Sequence, residues 1–322
     1  MSFKPKYSVV VPVYNRPDEL RELLQSLTEQ SVKNFEVIVV EDGSTNRSDG
    51  VVDSFREKLH IEYIYKPNTG PGPSRNLGFS RARGDYFVVF DSDCIIPPTY
   101  FEEVDKVLMH DNPDAWGGPD RSHESFTTLQ QAMAYTMSSV LTTGGIRGSK
   151  KHLGWFQPRS FNMGLSRKVF EKTKGFAFTR FAEDIELSIR MKKEGFTSVL
   201  IPEAFVYHKR RTTLGQFYRQ VSNFGKGRVL VGRAHRGEVK ITHWFPAFFT
   251  LGLCCLPILF FLNKILFYLG AFIYGAYALA IFINSYRDSR NLTVAILSLP
   301  AAAVQLIGYG WGFLKQFFAR TT

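Results

Sequence analysis

The sequence predicts an α/β domain, with a mostly parallel sheet covered by helices on both faces, followed by an α-helical membrane region. Three observations support this fold class. Short β-branched or aromatic runs alternate with helical patterns near the amino terminus. The composition changes sharply near residue 208, where a basic segment begins. Beyond that segment lie apolar stretches as long as a bilayer core is thick.

The strand candidates are short and bounded by polar turns, and helical patterns separate them. This alternation predicts parallel pairing with helices on both faces of one sheet. The strand candidates are residues 7–13, 35–41, 61–65 and 85–90, and the helical patterns cover 17–29, 48–58 and 73–83.

Charge divides the chain into three predicted regions. Residues 1–207 carry 26 Lys/Arg and 27 Asp/Glu, which is typical of a water-soluble domain. The connector, 208–243, contains nine Lys/Arg and one acidic residue, Glu238, so the net charge of +11 belongs to the second half. Residues 244–322 form the membrane region. Because the basic cluster adjoins an apolar stretch, binding to a membrane surface already explains its positive charge. We therefore expect no nucleic-acid partner.

Two apolar stretches, 244–262 and 265–283, contain no ionised side chain. Each would be about 28 Å long as a helix, which matches a bilayer core. A third stretch, 292–314, is interrupted by Pro300, Gln305 and three glycines, so we expect two or three spans. Since positive charge collects on the cytoplasmic side of spans, the sequence predicts a multi-pass protein of the cell membrane whose large amino-terminal domain is cytosolic.

The connector contains apolar residues at helical spacing among basic neighbours, in RRTTLGQFYRQVSNFGKGR (210–228). This pattern is typical of an interfacial helix on anionic lipid. A linker helix packed in a core would show the same pattern, and both descriptions can hold together.

The ends of the strand candidates place polar residues at one edge of the sheet. Ligands bind outside the carboxyl ends of strands in such sheets, and there the chain has Asn15, Asp42, Asp91 and Asp93. Asp91 and Asp93 are two residues apart and are expected on one side of a strand. Two close carboxylates attract a cation, and an oxygen-only pair suits Mg²⁺ or Mn²⁺ bridging to phosphates. A solvated turn is the alternative.

Glycines and prolines at 70–73 precede the third helical pattern. The amides at its start, with Arg75 on the same turn, predict an anion site for a diphosphate. A plain loop capped by Ser74 is the alternative.

A helix over 180–195 carries Glu183 and Asp184 at its start. Acidic residues at this position are ordinarily helix caps. If the helix starts at the substrate edge of the sheet, Asp184 could instead act as a general base. A strand predicted over 197–208 ends at His208, which is either structural or a metal ligand.

The ordered motifs VVVPVYNR, EDGST, GPGPSRNLG, FDSD, AEDIELSIR and VYH resemble glycosyltransferase family 2 over roughly residues 6–230. The resemblance implies the GT-A fold and inverting, metal-dependent transfer from a nucleotide-diphosphate sugar. It implies a role for each of these matching residues: Pro12, Tyr14 and Asn15 against the base, Asp42 bonded to the base, Asp91 and Asp93 on the ribose and metal-diphosphate, Asp184 as general base, and His208 on the metal. Physical reasoning adds Arg75, whose positive charge would stabilise the departing diphosphate.

The chain departs from the family pattern in two places. KGFAF (174–178) lacks the acidic residues common on the acceptor side, and no Gln-x-x-Arg-Trp follows the base helix, which favours one or a few transfers. The predicted acceptor is a membrane-associated molecule, a lipid-linked glycan of cell-envelope polysaccharide or glycoconjugate synthesis. The alternatives are a polyprenyl-phosphate sugar synthase, a nucleotidyltransferase and a non-catalytic scaffold.

Overall fold

The structure is a computed structural model that describes residues 3–121, 126–143, 155–209 and 211–319. The chain forms two compact units, Met1–His123 with Lys150–Lys209, and Glu124–Ser149 with Arg210–Thr322. The described residues 126–143, which were expected in the first domain, cluster with the second unit. Residues 210 and 320–322 of the predicted connector and membrane region lie outside the described residues.

The strands belong to the first unit. They are β1 (Tyr7–Val13), β2 (Phe35–Asp42), β3 (Ile61–Lys66), β4 (Tyr86–Phe90), β5 (Cys94–Ile95), β6 (Ala115–Gly117), β7 (Asp120–Arg121), β8 (Asn162–Ser166), β9 (Ser198–Leu200) and β10 (Val206–His208).

The helices are divided between the units, with α5, α6 and α9 to α12 in the second. They are α1 (Pro17–Thr28), α2 (Asp49–Asp53), α3 (Pro71–Arg81), α4 (Tyr100–His110), α5 (Thr128–Ser138), α6 (Val140–Thr143), α7 (Arg167–Thr173), α8 (Glu183–Lys193), α9 (Leu214–Ala234), α10 (Phe245–Leu262), α11 (Lys264–Ser289) and α12 (Leu292–Phe318).

A seven-stranded sheet carries the first unit, in the order β3-β2-β1-β4-β8-β6-β9. Strands β1 to β4 are parallel to one another, and β8 is antiparallel to both of its neighbours. Apolar clusters cover both faces, with Val9 and Val11 in one cluster and Val10 in the other. Burial on both faces explains why β1 is almost continuously apolar. The predicted mostly parallel α/β sheet is confirmed.

A second sheet of three short strands, in the order β5-β10-β7, lies in the same unit. It corrects the strand predicted over 197–208. That stretch forms two strands in different sheets, β9 and β10, because the chain turns after Ile201 at Pro202. The helix predicted over 48–58 is also shorter than expected, since α2 ends at Asp53 and turns follow.

Three helices of the second unit are long and apolar enough to cross a membrane: Ile241–Leu262, which includes a 3₁₀ turn, Lys264–Ser289 and Leu292–Phe318. The third continues through Pro300. Its glycines are packing positions, since a Cβ on Gly312 would lie 2.1 Å from the carbonyl oxygen of Ser222 in α9. Helix α9 buries Phe217 and Val221 within this unit, as the description of a packed linker helix requires.

Candidate active site

Asp91 and Asp93 follow the carboxyl end of β4 but turn to different partners. The amide of Cys94 donates to the carbonyl of Asp91 at 3.1 Å, so residues 91–94 form a turn. The rule that residues i and i+2 share a face applies to extended strands, not to turns. The expectation that both carboxylates would face one cation is therefore corrected: Asp91 meets Arg75, and Asp93 meets His208 and Arg16.

A histidine and an arginine contact the buried carboxylate of Asp93. The antiparallel pairing of β10 with β5 sets His208 opposite Cys94, and its Nε2 lies 3.1 Å from Oδ1 of Asp93. Nη1 of Arg16 donates to the other oxygen. Burial works to raise the pKa of Asp93, but His208 and Arg16 outweigh it and hold that pKa below its usual range. Asp93 is therefore ionised at neutral pH.

The surroundings of Asp93 fit a divalent cation. His208 is buried and stacks on Phe161 at 4.9 Å between ring centroids. Its Nδ1 is buried without a hydrogen-bond partner among the described residues. The ligand atoms of Asp93, Cys94 and His208 lie within 4.8 Å of one another. A carboxylate oxygen and an imidazole nitrogen are suitable ligands.

The thiol of Cys94 is the least suitable member of this group for a hard cation. Burial raises the pKa of Cys94 well above its usual value, and the charges of Asp93 and Asp91 add to that effect. The thiol therefore stays protonated, and its Sγ lies 3.6 Å from the carbonyl oxygen of Phe161.

Arg75 on α3 joins two carboxylates. Its guanidinium is 3% exposed, with Nη2 at 2.8 Å from Asp91 Oδ1 and Nη1 at 2.7 Å from Glu183 Oε1. Burial opposes its charge, but the two carboxylates raise the pKa of Arg75 above its ordinary value. Because these two carboxylates already bind the guanidinium, the structure gives Arg75 a connecting position rather than the open phosphate contact expected from the sequence.

Glu183 and Asp184 open α8 but differ in their partners. Ala182, directly before the helix, has φ +56°, and this left-handed residue turns the chain into α8. Burial raises the pKa of Glu183 despite its contact with Arg75. Asp184 Oδ2 lies 3.5 Å from the amide nitrogen of Ser160 and 3.8 Å from Arg159 Nη1. Both distances are longer than strong hydrogen bonds, and the other oxygen, Oδ1, accepts the amide of Ile185 at 2.8 Å. Oδ2 is therefore the less constrained oxygen of Asp184.

Asp42 binds the loop in front of α3. Its oxygens accept the amides of Thr69 and Gly70, each at 2.9 Å, and also the ammonium of Lys66. Burial works against ionisation, but these donors lower the pKa of Asp42. The amide of Gly72 donates to the carbonyl of Thr179 at 3.1 Å. The amides predicted to hold a phosphate are thus occupied by protein oxygens.

The turn after β1 is also tied to its neighbour. Asn15, at φ +53°, accepts the amides of Thr45 and Asn46 at 2.9 Å through its Oδ1. Pro12 lies within β1, and Tyr14 is 51% exposed beside Asn15. The structure thus leaves Tyr14 as the accessible ring at this end of β1.

Sequence reasoning missed two basic residues, Arg16 beside Asp93 and Lys66 beside Asp42. Both residues belong to stretches at strand ends, Arg16 in YNR (14–16) and Lys66 in KPN (66–68). No local pattern indicates which carboxylate each of them would balance, so neither was predicted as a site residue.

Comparison of the sequence with known proteins identifies its family. The model of "Glycosyl transferase family 2" matches residues 8–174. Over 110 residues the chain is 39% identical to "Glycosyltransferase GlyA" of Streptococcus pneumoniae serotype 4, covering 34% of this chain and 16% of GlyA. Over 115 residues it is 31% identical to the uncharacterized glycosyltransferase YibD of Escherichia coli K12, covering 35% and 33%. The chain thus spans a third or less of these two relatives.

A solved structure extends the similarity of fold to most of the chain. The mannosyltransferase PcManGT from Pyrobaculum calidifontis, in complex with GDP-Man and Mn²⁺, aligns with 95% of this chain and 88% of its own, with a TM-score of 0.68 and 17% identity. That identity supports the fold alone. Because the family model matches more than half of the sequence and includes Asp42, Arg75, Asp91 and Asp93, the chain belongs to glycosyltransferase family 2.

Proposed function

We propose that this protein transfers a sugar from a nucleotide-diphosphate sugar to a membrane-associated acceptor, a lipid-linked glycan, with inversion and with a divalent cation. The observation that carries the proposal is the buried Asp93, which is contacted by Arg16 and by a histidine from a separate strand. The activity class follows from the family, and PcManGT with GDP-Man and Mn²⁺ supports the choice of donor and ion.

Asp93 and His208 would hold the ion, Mg²⁺ or Mn²⁺. When bound, the ion supplies positive charge that stabilises the departing nucleoside diphosphate. Arg16 adds a further positive charge at the same carboxylate. Asp91 would bind the ribose, and Arg75 would fix its orientation from the other side.

The nucleoside end of the donor would lie along the turns after β1 and β2. Pro12 and Tyr14 would offer apolar surface to the base, as the 51% exposure of Tyr14 allows. Asn15 and Asp42 would shape this pocket, each by holding a loop through backbone amides. Asp42 would reach the base only by exchanging one of those amides, so we assign it mainly to the loop.

The neighbouring carboxylates at the start of α8 would divide two tasks. Glu183 is bound to Arg75 and would position it. Asp184 would accept the proton of the acceptor hydroxyl on a carboxylate oxygen as that hydroxyl attacks the anomeric carbon. A single displacement needs no covalent intermediate and inverts the configuration.

The apolar helices support a membrane location. We propose that residues 1–207 form a catalytic domain on the cytosolic side of the cell membrane, that 208–243 connect it to the bilayer surface, and that 244–322 anchor it. The basic connector and the three apolar helices support this arrangement.

A panel of radiolabelled nucleotide sugars, incubated with membranes containing the protein, tests this function. We expect one donor to pass label into the organic phase with release of a nucleoside diphosphate. Release of pyrophosphate would instead identify a nucleotidyltransferase. The variant Asp184→Asn separates the acceptors: a loss of about 10²-fold or more fits a hydroxyl acceptor, whereas near-normal turnover fits a polyprenyl phosphate, which needs no base.

A further inference from the structure

Helix α12 runs beside α9 in the same direction. A Cβ on Gly308 would lie 2.7 Å from Val221, and one on Gly225 would lie 2.2 Å from the carbonyl oxygen of Tyr309. Further along, Nη2 of Arg233 donates to the carbonyls of Gln316 and Ala319 at 2.8 and 2.7 Å. Contacts therefore advance together along both helices, so α9 and α12 share one orientation relative to a bilayer.

Helices α10 and α11 form an antiparallel hairpin. The hydroxyl of Tyr274 donates to the carbonyl of Phe249 at 2.7 Å, and Phe260 meets Phe267 at 5.1 Å near the connecting turn. No residue from 251 to 280, all of them described, is buried. This outer part of the hairpin has a single charged residue, Lys264, at its turn.

The hairpin meets α12 only near its base. Trp244, in the 3₁₀ turn before α10, contacts Phe313 at 4.8 Å, and Thr250 in α10 donates to the carbonyl of Leu306 at 3.4 Å. In α11, Ser285 bonds Ser298 at 2.8 Å. The contacts that α12 makes between residues 298 and 317 thus involve only the base of the hairpin, near residues 244–250 on one arm and residue 285 on the other. A helix packed as a third member of a transmembrane bundle would instead follow α10 and α11 towards their turn.

The exposed residues of α12 form one stripe at helical spacing. They are mostly apolar, and they include Leu292, Ile296, Trp311 and Phe318. The other sides of α12 are covered by helices of the same unit. No residue from 301 to 310 is exposed, so the stripe offers lipid contact at both ends of α12, which suits a helix that lies flat.

We propose that α12 lies along the membrane surface beside α9, and that only the hairpin of α10 and α11 enters the hydrocarbon core. The inference rests on the proposed membrane location and specifies its topology. The occupant of the apolar stripe is the bilayer itself. Lys264 then reaches the far interface, and the carboxyl terminus lies on the same side as α9.

One basic residue of α9 argues for this arrangement over a third crossing. Arg219 is exposed between Phe217 and Val221, which pack with Ala301 near the middle of α12. If α12 crossed the bilayer, α9 would carry the guanidinium of Arg219 into hydrocarbon, where charged side chains are expensive. Flat on the surface, α9 keeps this group near lipid phosphates.

The packing also explains why the sequence of α12 resembles a span. A helix covered by α5, α9, α10 and α11 needs small or apolar residues on the covered sides, and lipid requires apolar residues on the remaining stripe. Gln305 and Ser298 are buried among those helices rather than in lipid. Hydropathy alone cannot separate such a helix from a spanning one.

Spin labels measure directly how deep α12 lies in the bilayer. In a Cys254→Ser, Cys255→Ser background, the buried Cys94 is the one native cysteine left and is shielded from the label. Single labels are placed at Ile296, Ala303 and Trp311, and the protein is reconstituted in phosphatidylcholine–phosphatidylglycerol vesicles. Collision rates with oxygen and with a polar nickel chelate give the depth of each label. We expect equal, shallow depths at the three positions, with labels at exposed hairpin positions, Ile258 and Leu269, clearly deeper.

A crossing helix gives another profile. Its positions 296 and 311, about 22 Å apart along the axis, would flank a much deeper label at 303, and that result would overturn the inference. An epitope tag after Thr322 that resists protease from the side on which an amino-terminal tag is cut would also overturn it. Loss of the protein from the vesicle fraction would instead contradict the membrane location itself, so the two failures are distinguishable.

Discussion

Arg75 and Glu183, 108 positions apart in the sequence, are joined by a buried ion pair of 2.7 Å. The other arm of the same guanidinium holds Asp91, so the start of α8 and the turn after β4 are coupled through one side chain. A buried charge that loses one partner is costly, which makes this link sensitive to substitution.

We expect Glu183→Gln to lower kcat/KM about 10- to 150-fold, because a charge-assisted bond worth about 1.5–3 kcal/mol is replaced by a weaker one and Asp91 is less firmly held. Initial rates with saturating acceptor measure this. Glu194→Gln, on the exposed carboxyl end of the same helix, is the matched control and should stay within about twofold. If the two variants lowered kcat/KM equally, the proposed role of Glu183 in positioning Arg75 would be contradicted.

His208→Ala should weaken the response to metal. Removing an imidazole ligand is expected to raise the Mn²⁺ concentration needed for half-maximal activity about 10- to 100-fold. The measurement is an activation curve from chelator-treated protein. His110→Ala, at the exposed end of α4, should leave the curve unchanged. An unchanged curve for His208→Ala would mean that this histidine only packs on Phe161.

Gly72→Ala should disturb the turn in front of α3. Its Cβ would lie 2.1 Å from the carbonyl oxygen of Phe178, so the backbone must shift, at about 1–3 kcal/mol. We expect a lower apparent Tm in detergent together with reduced activity. Gly50→Ala in α2 meets nothing within 4 Å and should be neutral or slightly stabilising. A fully active, equally stable Gly72→Ala protein would show that this close approach is not required.

Asp42→Asn should destabilise the protein in a pH-dependent way. The pKa of Asp42 is lowered from its ordinary value of 3.8, so the ionised form contributes stability that is complete above that value and is lost as the pH falls through the folded pKa. We expect a difference of about 1–3 kcal/mol from the wild type at neutral pH. The difference should shrink below pH 3.8. A constant gap in Tm across this range would contradict the role of the charge. Asp53→Asn, which removes one partner of the exposed surface pair between Asp53 and Arg56, is the control.

The sequence predicted the first half of the sheet well because its strands have a strong local pattern. The runs at 7–13 and 35–41 are apolar and bounded by polar turns, and they form β1 and β2 with nearly those limits. Strands β5 to β10 have two to five residues each, too few to show a period, and none of them was predicted except as the single strand over 197–208.

The candidate site was predicted as a set of residues but not as a set of partners. The rule that ligands bind at strand ends brought Asn15, Asp42 and Asp91 into consideration. Which cation balances which carboxylate depends on contacts between distant segments, such as Arg16 with Asp93, across 77 positions. Such contacts leave no local pattern. The loop amides that bind Asp42 were for the same reason assigned to a phosphate.

The cation site at Asp93 and His208 is tested most directly by measuring the release of nucleoside diphosphate with and without a chelator. The membranes used are ones that are active with an identified donor sugar. We expect chelation to abolish release, Mg²⁺ or Mn²⁺ to restore it in the wild type, and neither ion to restore it in Asp93→Asn. Undiminished release under excess chelator, or normal metal activation of Asp93→Asn, would contradict a cation site at Asp93 and His208.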